Sequence, residues 1–227
     1  VDLGESDYPN SVKSTDISGS DIAVIGLSCR FPGAESEKEF WELLSGAESA
    51  LRLVPSERWT GKDYAGLLNN ITDFDPEYFG LTFNDAKAMD PQALILLEET
   101  LSLISHAGYS TEMLKGTDLG VFIGARTRLG YDKQAISESD NPVLAVGQNY
   151  LAANISRYFD WHGPSMVVDT ACSSALTAMN LARHSILSGE IDAAVVGGIS
   201  LFDGDDTFRM FEQRGLLCSQ PPFHLFD

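Results

Sequence analysis

Gly163-Pro164-Ser165-Met166-Val167-Val168-Asp169-Thr170-Ala171-Cys172-Ser173-Ser174-Ala175-Leu176 is the stretch on which the fold turns. Its apolar, β-branched run, Met166-Val167-Val168, stops at a polar pair and gives way to small residues. Ala175, Leu176, Met179, Ala182 and Ile186 then recur at helical spacing, and Gly189 follows as a terminator. A second apolar run, Ala194-Val195-Val196, comes next. Strand over residues 165–170, helix over 172–188 and strand over 193–197 make one right-handed crossover unit. The chain therefore reads as α/β, with a largely parallel sheet covered on both faces. In such sheets function gathers where strand C-terminal ends turn into helices.

Working outward, Leu119 and the run to Ile123 before Gly124 repeat the strand-plus-glycine pattern. Ile22-Ala23-Val24-Ile25 before Gly26 carries the same signal and predicts a buried strand, the first packed element, beginning at Asp21. Ser36 with Glu39 three positions on predicts a capped helix carrying Phe40, Trp41, Leu43 and Leu44, stopped by Gly46. Asp90 as N-cap and Pro91 at the first helical position open a second helix. Leu94, Leu97, Leu101 and Ile104 supply its apolar face, and Gly108 ends it. Residues 60–85 read as a long irregular surface segment. Residues 1–20, with Gly4, Pro9, Gly19 and many Ser and Asp, read as a linker or N-terminal arm ahead of the packed 21–227.

Composition excludes several classes of function. The 227 residues hold 15 Lys plus Arg against 33 Asp plus Glu, a formal net charge of −18, which argues against gripping nucleic acid. With 44% hydrophobic and 21% charged residues the chain lies in the globular range, not the disordered one. No apolar run approaches the roughly 18–20 residues that cross a bilayer. The start, Val1-Asp2-Leu3-Gly4-Glu5, has neither a basic segment nor an apolar signal core, so a cytoplasmic location and no membrane partner are expected. Three irregularly spaced cysteines, Cys29, Cys172 and Cys218, form neither a disulfide framework nor a zinc motif. Asp203-Gly204-Asp205-Asp206 lacks the alternating ligands and terminal Glu of a calcium loop and reads as a polar loop, so no metal is expected.

Cys172 is the residue with chemical promise, because it sits at the join of a buried strand and a helix. Unpaired N–H groups and the positive end of the helix dipole lower a thiol's pKa and favour the thiolate. Small neighbours, Ala171, Ser173 and Ser174, let a thioester approach, and the Cys172 N–H can hold an oxyanion, so the geometry suits acyl transfer. A free cysteine is also commonly a small buried hydrophobe, the reading kept for Cys29 and Cys218. No histidine is an evident partner base. His184 lies twelve residues down the helix, about 18 Å away. His162 precedes the strand, His106 closes the second helix and is expected to meet its last carbonyls, and His224 cannot be placed.

Taken together, these residues resemble the β-ketoacyl synthase domains of modular polyketide synthases. The segments that match, in order, begin with residues 21–33, then Phe40-Trp41-Glu42-Leu43-Leu44, and Pro55 with Arg58-Trp59. Met89-Asp90-Pro91-Gln92, residues 120–124, and Gly163-Pro164-Ser165 with residues 169–175 complete the series. The resemblance implies a thiolase-like fold of two similar α/β halves, here the N-terminal half with its last strand and the C-terminal half missing. It implies that Cys172 accepts an acyl chain from the phosphopantetheine arm of an acyl carrier protein, with no cofactor bound directly. Decarboxylative condensation with a malonyl-type extender would follow. In such sites two histidines and a lysine assist, the histidines lying in His-Gly-Thr-x-Thr and Asn-x-Gly-His motifs. Neither motif occurs here, since His162-Gly163 continues as Pro164-Ser165.

The sequence stops at Phe223-His224-Leu225-Phe226-Asp227, which resembles the stretch before the strand that completes the first half-sheet. A complementary C-terminal half carrying the histidines is therefore expected, as a partner from another chain or as the rest of a longer chain of which this is a fragment, and without it apolar surface and a sheet edge stay uncovered. The resemblance also implies a homodimer, with residues 165–169 pairing across the two-fold axis and residues 143–153 near the partner's pocket. Alternatives are a non-condensing acyl-transferring or gatekeeping module, or a docking scaffold. The negative charge repels acidic carrier proteins, so docking calls for the missing half or for a local basic cluster, either Arg52, Arg58 and Lys62 or Arg126, Arg128 and Lys133. The plainer reading of each cluster is an ordinary solvated face.

Overall fold

The computed structural model describes residues 19, 21–61, 63–127, 132–202 and 204–218. Helix α1 (Glu37–Ser45) precedes strands β1 (Leu51–Leu53) and β2 (Tyr64–Gly66). Helices α2 (Phe83–Ala88), α3 (Pro91–His106) and α4 (Thr111–Leu114) lead to β3 (Gly120–Ala125). Helices α5 (Lys133–Glu138) and α6 (Tyr150–Phe159) flank a 3-10 turn at Pro142–Ala145 and lead to β4 (Ser165–Val168). A 3-10 turn at Ala171–Ser173 opens α7 (Ser174–Leu187), which is followed by β5 (Ala194–Ile199) and α8 (Asp206–Gln213).

Local signals explain the first helices. Ser36 Oγ accepts from the Glu39 N–H at 3.3 Å, and the Glu39 carboxylate closes the cap on the Glu35 N–H at 2.7 Å, one residue before the expected position. In α3, Asp90 Oδ1 accepts from the Gln92 N–H at 2.9 Å, Pro91 takes the first helical position, and Gly108 at φ +80° follows the end.

The main sheet has the order β4-β3-β5, and both pairings are parallel. Central β3 is buried at all six positions. Its alternation divides the core. Val121, Ile123 and Ala125 join Leu94, Leu97 and Ile104 of α3 and Leu151 and Ile155 of α6 on one face. Phe122 packs with Ala178 and Ala182 of α7 and with Ile191 on the other. A smaller core joins Val54, Trp59, Ala65 and Leu67 around the β1-β2 hairpin to Phe208 of α8. The Arg209 guanidinium pairs with Asp63 and, at 3.0 Å, with Asp205, so that aspartate is engaged by a cation of the protein itself.

The crossover from β4 through α7 to β5 is present, passing over β3 to reach its far side. Two expectations are corrected. Residues 22–25 form no strand and are exposed, with Val24 at 84%. Both edges of β3 are taken by β4 and β5, and no described strand pairs with this run. His106 accepts from the Leu27 N–H at 3.2 Å through Nδ1, and thereby ties this segment to the end of α3. The hairpin strand β2 and the start of α2 fall within residues 60–85, which the sequence presents as irregular.

Candidate active site

Cys172 lies in the middle of the turn between β4 and α7, a free and exposed thiol. The close approach of α7 to the sheet positions this turn. A Cβ at Gly124 would lie 2.4 Å from the Ala175 N, and one at Gly198 would lie 2.7 Å from the Ala175 Cβ, so glycines in β3 and β5 admit the helix start. Ser173 makes no side-chain cap bond to α7, which leaves the helix's first N–H groups without a side-chain acceptor beside the thiol.

The residue before the cysteine is conformationally unusual. Ala171 has φ +57°, a left-handed backbone that disfavours a residue with a Cβ by about 1–3 kcal/mol. Hydrogen bonds hold it on both sides. Its N–H donates to Asp169 Oδ1 at 3.0 Å, and its carbonyl accepts from Ser174 Oγ at 2.6 Å. Ser174 Oγ also accepts from the Thr170 N–H at 2.9 Å. Thr170 Oγ1 lies 2.9 Å from Ser173 Oγ and 3.0 Å from Thr177 Oγ1, so hydroxyls brace the first turn of α7.

The bracing continues into the sheet. Asp169 Oδ2 accepts from Arg126 Nε at 2.7 Å. That bond, followed by the one from the Ala171 N–H, holds the Asp169 carboxyl below the usual carboxylate range. Gln92 Nε2 donates to the Arg126 carbonyl at 2.9 Å, and Gln148 Nε2 donates to the Ala125 carbonyl at 3.1 Å. The C-terminal end of β3 is thus fixed to the first turn of α3 and to the segment leading into α6.

Other candidates lie elsewhere. Cys29 is half-buried, and burial together with Glu37 and Glu99 pushes its thiol up, away from the reactive thiolate. Cys218 is exposed beyond α8. His162 pairs with Asp160 at 3.3 Å before β4 begins, and His184 is exposed near the end of α7. Of the basic clusters, Arg126 is committed to Asp169, while Arg52 bonds Asn69 Oδ1 and the Leu67 carbonyl, and Arg58 bonds the Phe202 carbonyl. Lys62, Arg128, Asp203 and His224 lie outside the described residues. The roles of Asp169, Arg126, Gln92 and Gly124 escape sequence reading. Gly124 signals only the end of a strand there, and nothing local pairs Arg126 with an aspartate 43 positions away.

Residues 19–227 match the family described as "Beta-ketoacyl synthase, N-terminal domain". The chain is 52% identical over 219 residues to polyketide synthase PksL of Bacillus subtilis (strain 168), covering 96% of this chain and 5% of that protein. It is 35% identical to the pikromycin polyketide synthase component PikAII of Streptomyces venezuelae, with 87% of this chain and 6% of that protein aligned. Among solved structures, the ketosynthase from module 6 of the bacillaene synthase from Bacillus subtilis 168 superposes with a TM-score of 0.75 at 32% identity. That match covers 86% of this chain and 34% of the other. The oxazolomycin ketosynthase domain OzmH KS8 of Streptomyces albus JA3453 gives 0.63 at 47% identity, over 79% of this chain and 40% of the other. The chain thus spans about a third to two fifths of these ketosynthase structures and a small fraction of the synthases. By family match, sequence identity and superposition, the chain belongs to the β-ketoacyl synthases of polyketide synthases and has the thiolase-like fold of their N-terminal domain.

Proposed function

We propose that this chain is the cysteine-bearing portion of a condensing ketosynthase and that Cys172 is its acyl acceptor. The observation that carries this reading is the setting of Cys172, exposed in a strand-to-helix turn, after a left-handed alanine and beside a helix start without a side-chain cap. The deprotonated Sγ attacks the carbonyl of an acyl thioester on the phosphopantetheine arm of an acyl carrier protein. A bond forms between Sγ and the carbonyl carbon, and the bond to the phosphopantetheine sulfur breaks. The departing thiolate takes up a proton, which balances the one lost from Cys172. Backbone N–H groups of the turn stabilise the oxyanion as it develops. The arm is a substrate carrier, and no bound cofactor enters this step.

Condensation of the loaded chain with a malonyl-type extender needs a histidine pair, and neither histidine motif occurs in this sequence. In this reading a complementary C-terminal ketosynthase half supplies both. Homodimerisation of the completed domain is supported by the outer edge of β4, which pairs with no described strand and begins with exposed Ser165 and Met166. Residues 1–20 act as the linker or arm and 21–227 as the ketosynthase portion, a division supported by the family match beginning at residue 19. A cytoplasmic location fits the thiol forms of Cys29 and Cys172 and helices too short or too polar to cross a membrane among the described residues.

The test is acyl loading in the intact synthase polypeptide, read by mass spectrometry on the peptide that holds position 172. Cys172→Ala is expected to abolish the adduct from an acyl-phosphopantetheine thioester, while Cys29→Ala and Cys218→Ala retain it. An adduct that persists in Cys172→Ala overturns the assignment. Loading without condensation, once the histidine-bearing segment is present, would instead support the non-condensing, acyl-transferring alternative.

A further inference from the structure

We propose that Asp169 is a positioning residue for Cys172, its two carboxylate oxygens clamping the Ala171 N–H and the Arg126 guanidinium to hold the left-handed backbone that aims the thiol. This inference rests on the reading of Cys172 as the acyl acceptor. Ala171 at φ +57° would relax to negative φ if released, because its Cβ crowds the backbone in the left-handed region. Such a change re-aims the chain at the next residue, which is the nucleophile.

Ser174 restrains the carbonyl side of Ala171, and Asp169 alone restrains its N–H side among the described residues. The carboxylate is anchored in turn. Arg126 Nε meets its second oxygen at 2.7 Å, and the Arg126 carbonyl accepts from Gln92, a side chain buried in the first turn of α3. The clamp therefore references the cysteine turn to the central strand and the helix behind it. The Arg126 side chain is 66% exposed, so the Coulomb attraction of the pair is small and its contribution is geometric.

The experiment uses the intact synthase polypeptide, with two rates read at position 172, acyl loading and alkylation by iodoacetamide. Asp169→Ala is expected to slow both by roughly ten- to a hundredfold, the range for misplacing a reacting group by about an ångström. Asp169→Asn, which keeps an oxygen for the Ala171 N–H, and Arg126→Gln should fall between it and the wild type. The discriminating variant is Ala171→Gly on the Asp169→Ala background. Glycine adopts this φ without a Cβ clash, so part of the lost rate should return, which a generally loosened structure would not show. Wild-type rates in Asp169→Ala, or an equal loss with and without Ala171→Gly, overturn the proposal. Should Asp169→Ala fail to fold, wild-type rates in both Asp169→Asn and Arg126→Gln overturn it. Alkylation is measured independently of acyl acceptance. A persistent acyl adduct in Cys172→Ala would therefore defeat the parent reading while the Asp169 effect on the thiol is still read.

Discussion

Two runs of this chain carry the same sequence signal and meet opposite fates. Val121-Phe122-Ile123 before Gly124 is the centre of the sheet, with each of the three side chains at 0% exposure. Ile22-Ala23-Val24-Ile25 before Gly26 forms no strand, and Val24 is 84% exposed. Residue type and periodicity do not separate them, but partners do. The first run has β4 and β5 on its two edges, α7 on one face, and α3 with α6 on the other. The second touches the end of α3 through the Leu27 N–H and the packing of Gly26, whose Cβ would lie 2.9 Å from that of Ala107. A strand needs a neighbour to take its N–H and C=O groups, so the same residues are a core element in one place and a surface segment in the other.

Substitutions test this contrast, each read as a shift in the urea midpoint by pulse proteolysis of the intact polypeptide. The largest effect is expected for Ile123→Ala, at about 2–5 kcal/mol, because the cavity would open between two packed layers. Gly124→Ala should follow at about 1–3 kcal/mol, since its new Cβ meets the backbone of α7 at the Ala175 N, which cannot move away without shifting the helix.

Asp85→Ala is expected to lose about 1–3 kcal/mol at neutral pH, because Asp85 Oδ1 accepts from Ser139 Oγ at 2.6 Å and from the Asn141 N–H at 2.7 Å. Burial raises the pKa of this carboxyl, but bonds from Ser139, Asn141 and Thr82 outweigh it and leave it below the ordinary value. A depressed folded-state pKa stabilises above the unfolded value, and the contribution is lost as pH falls through the folded one. The difference between wild type and variant should therefore shrink in acid, and a gap that persists below that pH would contradict the hydrogen-bond account.

Val24→Ala should change stability least, within about 0.5 kcal/mol. A loss of about 2 kcal/mol there would mean that residues 22–25 acquire a strand partner in the assembled synthase, and the contrast between the runs would close.

The site divides in the same way. Cys172 was legible because a strand, small residues and a helix follow one another within a few positions, which puts the thiol at a strand-to-helix turn, but the expected apolar face of that helix is corrected: Leu176 and Met179 are exposed, and Ser174, Ala178 and Ala182 are the buried positions. The left-handed Ala171 was not legible, since alanine carries no local preference for that backbone; bonds to Asp169 and Ser174, two and three positions away, hold it there, and Asp169 is held in turn by Arg126, 43 positions away. Arg126 was open to reading as part of a basic docking face, yet its guanidinium lies on Asp169. Asp90 and Pro91 gave the start of α3, but the reach of Gln92 to the Arg126 carbonyl crosses 34 positions and has no local signal.

The α/β class, the capped starts of α1 and α3, the crossover around Cys172 and, through ordered motifs, the family are all legible in the residues alone. Each of these is written in residues a few positions apart, where propensity, capping and periodicity act. Which apolar run became the central strand, how close α7 could approach it, and the anchoring of Asp169 by Arg126 in the turn before Cys172 were settled by the folded chain. Those outcomes depend on hydrogen-bond partners and packing space supplied by residues far away in the chain, and only the folded arrangement brings them together.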